Sequence, residues 1–86
     1  MASIEEVRAG IDAAKDKASE SLGALQQAQS ALEAAQAQLQ QVTEGSGQAD
    51  VSEANAMLAQ AVSSVTEVQQ NVQAAIQASE SVSARL

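Results

Sequence analysis

The sequence predicts an all-α chain, an antiparallel two-helix coiled-coil hairpin, on three observations. Its 86 residues include no Pro and no aromatic side chain, and Pro is the residue that would forbid helices of about forty residues. Two long Ala- and Gln-rich runs of strong helix formers are separated by one break, Glu44-Gly45-Ser46-Gly47-Gln48-Ala49. Within each run apolar residues return every seven positions, the spacing of a coiled-coil seam. Val, Ile and Thr never alternate with polar residues over a useful length, so no strand pattern competes.

The first helix is expected over about residues 3–43. Ser3-Ile4-Glu5-Glu6 fits a capping box, in which the Ser3 hydroxyl accepts from the Glu6 amide and the Glu6 carboxylate reaches back. Glu5 and Glu6 also stand where the helix dipole favours negative charge. Ile4, Ile11, Ala18, Leu25, Leu32 and Leu39 form one series, and Val7, Ala14, Ser21, Ala28, Ala35 and Val42 lie three residues further on. Read as a and d positions, they make a seam in which only Ser21 is polar, with the left-handed supercoil that such a repeat imposes. Gly10 and Gly23 weaken the helix, each by about 1 kcal/mol relative to Ala.

The turn falls at residues 44–49, on Gly45, Ser46 and Gly47, with Gly45 suited to the left-handed cap position. The second helix is expected over about 50–86, with Asp50 as its cap and Glu53 three residues on. Val51, Leu58, Val65, Val72, Ser79 and Leu86 form one series; Ala54, Ala61, Val68, Ala75 and Val82 form the other. Folding about a pivot between Ser46 and Gly47 sets every a/d position against another, with Val42 facing Val51, Leu25 facing Val68 and Ile11 facing Val82. The arms of such a rod are roughly 55–60 Å long.

Composition narrows the chemistry. Eleven acids against four basic residues leave a net charge of −7, which repels phosphate backbones and anionic lipid heads. Nucleic acid and membrane are therefore not expected partners. Without His or Cys, no Ser/His/Asp or Cys/His constellation and no zinc spacing can be assembled. Glu5 with Glu6, and Asp12 with Asp16, are near neighbours that read as a solvated face rather than an ion site. Gly45-Ser46-Gly47 lacks the Lys and the preceding strand of a phosphate loop. No catalytic, cofactor or metal residues are assigned, and the expectation is a protein that is not an enzyme. The N-terminus carries no basic region followed by an apolar run, so the expected address is the cytoplasm, or the exterior by a route without a Sec-type signal.

The layers at Ala14, Ala18, Ala75 and Ser79 are too small to fill a core alone. Leu22, Val62 and Ile76 lie one position outside the a/d seam on one flank. They either widen the seam or form an apolar stripe that pairs with another hairpin. Ordering the chain costs on the order of 1.5 kcal/mol per residue, which an Ala-rich two-helix seam offsets poorly. Two hairpins joined in a four-helix bundle bury more, so a homodimer, or pairing with another helical protein, is expected.

A capped helix of about forty residues, a Gly-containing turn and a second such helix resemble the WXG hairpins, dimeric four-helix-bundle proteins exported by type VII secretion. Here the turn has Gly-Ser-Gly where that family has Trp-x-Gly. The tail Glu80-Ser81-Val82-Ser83-Ala84-Arg85-Leu86 lacks the Tyr-x-x-x-acid export signal. Leu22-Gly23-Ala24-Leu25-Gln26-Gln27-Ala28 and Thr43-Glu44-Gly45-Ser46-Gly47-Gln48 are similar to stretches of small actinobacterial Ala/Gln-rich helical hairpins. That resemblance implies the fold, brings no assigned activity and carries over no functional residues. The functional expectation is an interaction or adaptor hairpin acting through self-association or partner helices. The alternatives are a WXG-like secreted substrate or chaperone of a type VII or toxin system, and an amphipathic lipid-associated protein.

Overall fold

Two helices that double back on each other account for the structure. The computed structural model describes residues 2–44 and 49–86; α1 spans Ile4–Val42 and α2 spans Ala49–Arg85. These bounds fall within a residue of those the sequence predicts, the ordinary scatter of helix ends. The turn expected at Gly45, Ser46 and Gly47 lies outside the described residues.

The start of α1 forms one half of the expected capping box: the Ser3 hydroxyl caps the helix, while the Glu6 carboxylate makes no return bond to the Ser3 N–H. Ser3 is extended at φ −72° and ψ 164°, and its hydroxyl accepts from the Glu6 N–H at 3.1 Å. Its carbonyl accepts from the Val7 N–H at 3.0 Å. One of the helix's orphan donors is thereby satisfied, and Glu5 and Glu6 occupy the first turn. At the far end the Thr43 N–H donates to the Leu39 carbonyl at 3.1 Å, and the Thr43 hydroxyl donates to the same oxygen. The second helix begins one residue earlier than predicted, so Asp50 belongs to its first turn and is not the cap. Arg85 lies in the last turn of α2, where a cation complements the dipole.

The pair measures 64 × 18 × 14 Å along its principal axes. A single continuous helix of this chain would approach 130 Å at about 1.5 Å per residue, so the arms are folded together, and they pack along their length.

The face each helix turns inward differs from the a/d reading. In α1 the half-buried positions are Ile11, Ala18, Leu25, Leu32 and Leu39 with Lys15, Leu22, Gln29 and Gln36, and Thr43 at the cap continues the second series. In α2 they are Val51, Leu58, Val65, Val72 and Ser79 with Asn55, Val62, Gln69, Ile76 and Ser83. Beside these two series the small d residues Ser21, Ala35, Ala54 and Ala61, and Thr66 on the other side, are half-buried as well. The first series of each helix is the predicted one except at the open end of the hairpin, where Ile4 and Leu86 are exposed; the second lies one residue beyond the predicted d series. The d positions Val42 and Val68 are instead 83% and 44% exposed, and Val7 and Val82 are each 39% exposed. The predicted pairing of Leu25 with Val68 is therefore corrected. Leu22, Val62 and Ile76 are longer than Ser21, Ala61 and Ala75 beside them. Turning them inward shields more hydrocarbon, at about 0.8 kcal/mol per buried methylene.

An antiparallel arrangement sets the two inward series of one helix level with those of the other only in one phase of the repeat. Lys15 Nζ stands 4.0 Å from Glu80 Oε1, which selects the register within that phase. Ile11 is then level with Ser83, Ala18 with Ile76, Leu22 with Val72, Leu25 with Gln69, Leu32 with Val62 and Leu39 with Asn55.

Candidate functional site

With no enclosed interior, whatever this hairpin does it does with its seam and its flanks. Among the described residues no side chain is fully buried, no pocket is present, and no group of three carboxylates converges on a point where a metal ion would sit. No helix among the described residues is long and apolar enough to cross a membrane.

The seam is part apolar and part polar. Three hydroxyls in or beside it bond within their own helices. Ser21 Oγ donates to the Ala18 carbonyl at 2.6 Å, Ser79 Oγ to the Ala75 carbonyl at 2.9 Å, and Thr66 Oγ1, beside the seam, to the Val62 carbonyl at 3.1 Å. These bonds to carbonyls one turn back cost a helix little. The amides fare less well. Gln29 Nε2 reaches out to Glu33 Oε1 at 3.1 Å, whereas Asn55 Oδ1 and Gln69 Nε2 are buried without a protein partner. A buried amide left so costs on the order of 1–3 kcal/mol. Lys15 lays its stem across the seam and brings its ammonium to Glu80, as a long amphipathic side chain can.

On either side of the seam runs a flank, and the two differ in chemistry. One consists of the residues just before the second series of each helix; Val7, Ala14, Ala28, Val42, Val68, Ala75 and Val82 are its exposed members. Its remaining positions, Ser21, Ala35, Ala54 and Ala61, are small and half-buried, and none of the flank is ionisable. Equal offsets from the seam fall on the same side of an antiparallel pair, so the two helices contribute to one continuous face. The opposite flank carries Asp12, Gln26, Glu33, Gln40, Gln73 and Glu80, and it is solvated.

The residues expected to meet a partner, Leu22, Val62 and Ile76, are all half-buried against the opposite helix. The more open apolar side chains beside them belong to the d-series face. That face was hidden from the sequence reading because its residues had been assigned to the interior. A comparison of size at neighbouring positions, Leu22 against Ser21 and Ile76 against Ala75, carried the signal. No family model, curated protein or solved structure matches the chain.

Proposed function

We propose that the chain is a non-enzymatic interaction protein that presents helix surfaces to other helices, and that its first partner is a second copy of itself. The observation that carries this reading is how much surface the hairpin leaves in water. It exposes 6165 Å², whereas a compact monomer of 8.7 kDa exposes roughly 4,700 Å². The excess of roughly 1,400 Å² exceeds the ~800 Å² that each partner contributes to a stable interface. Val42, Val68 and Met57, which is 63% exposed, show that apolar side chains contribute to it.

Sedimentation equilibrium, read beside helical circular dichroism across a dilution series from high to sub-micromolar concentration, tests the reading. The expected result is a dimer whose helicity falls as dilution separates the copies, because association and order are then linked by mass action. A fully helical, concentration-independent monomer would overturn it.

A further inference from the structure

We infer that two copies meet through the flank centred on Val68 and Ala28, with the seam of each hairpin left intact, to form a four-helix bundle. The inference rests on the self-association reading above and adds to it the face.

Three features select this face over the others. It carries the open valines: Val7, Val42, Val68 and Val82 are exposed although each belongs to an apolar heptad series. Helices already joined by two inward series need a third apolar series per heptad only when something else packs on that side; a wider apolar stripe is what distinguishes a bundle helix from one arm of a two-stranded coil. The second feature is charge. Two copies at −7 each repel, and wherever an acidic flank met its counterpart, Asp12, Glu33 or Glu80 would be brought against like charge. The Val68 flank holds no ionisable residue in either helix, so closing it desolvates no carboxylate, which would otherwise be costly. The third is shape. Its other members are Ala and Ser, and small residues let two backbones approach closely. The surface each hairpin has in excess supplies an interface of this extent.

The experiment compares single substitutions that add the same charge to opposite sides of the hairpin. Dissociation constants are measured by sedimentation at physiological ionic strength, where the charged flanks are screened beyond about 8 Å. Val68→Glu is expected to weaken the dimer by about a hundredfold or more, since each copy then carries an unpaired carboxylate into the contact. Gln73→Glu, on the solvated flank, is expected to change it by less than about twofold. Val68→Ala, which removes two methyl groups without adding charge, is expected to weaken it by about tenfold. It keeps the test decisive if the Glu variant loses helicity altogether. A wild-type chain that is a helical monomer would overturn both the self-association reading and this face. A wild-type dimer unaffected by Val68→Glu and Val68→Ala, or one weakened equally by Gln73→Glu, would leave self-association standing and overturn the face.

Discussion

The inner seam of this hairpin and the flank beside it are made of opposite materials, and the inside is the more polar of the two. Leu25 is level with Gln69 and Leu39 with Asn55, and both amides keep a buried atom without a partner. The flank three residues from Leu25 is uniformly Ala, Val and Ser, and most of it is exposed. A seam optimised for stability alone would exchange these contents. Gln69 meets an aliphatic side chain whichever heptad register is taken, since sliding the arms by seven residues only exchanges Leu25 opposite it for Leu32 or Ala18; the cost of the amides falls on stability. The contrast teaches that much of the apolar surface available for further association lies outside the seam.

Substitutions can break or sharpen that contrast. The largest effect is expected from Leu32→Asp, which puts a charge opposite Val62. It should cost at least about 2 kcal/mol, read as loss of helical circular dichroism at fixed concentration. Gln69→Leu should act in the opposite direction, stabilising the hairpin by about 1–2 kcal/mol in urea melts by removing an unpaired amide beside Leu25. A destabilised Gln69→Leu variant would show that the amide is satisfied in solution and that the seam is not under-optimised. Gly23→Ala touches neither seam nor flank, and a Cβ there meets nothing within 4 Å. It should add about 0.5–1 kcal/mol through the backbone alone, and so calibrates how much of any change belongs to helix propensity. The smallest effect belongs to Glu80→Gln. Its bond to Lys15 is long at 4.0 Å, and the Glu80 side chain is 56% exposed. The loss should not exceed about 0.5 kcal/mol and should vanish at high salt.

Much of the fold is legible in residues that leave no choice. Absent Pro, the strong helix formers, the Ser3 cap and the recurrence of Ile11, Leu25, Leu32 and Leu39 lead to two long antiparallel helices, and α1 and α2 are where those signals put them. The inward face is less legible because three positions per heptad carry apolar residues, and any two adjacent series can close a seam. Gln29, Gln36, Asn55, Gln69 and Lys15 give the second inward series a polar character, while Ala28, Ala35 and Val68 give the flank the composition of an interior. Polarity suggested one seam, and the size of Leu22, Val62 and Ile76 selected the other. Val68, at the centre of the proposed contact, was thereby read as core. The assignment of an apolar position to a hairpin seam or to a bundle contact is a packing decision, made by the volumes of its neighbours.

The ladder-like arrangement of the two arms also sets an order in which they come together. Thr43 and Val51 are close in sequence, so joining them closes a short loop. Ile11 and Ser83 are separated by most of the chain, and the entropy of bringing them together is acceptable only after the rungs between have formed. The hairpin should therefore zip from the Thr43–Val51 end, and amide exchange should be fastest near Ile4 and Arg85, where the zipper opens first.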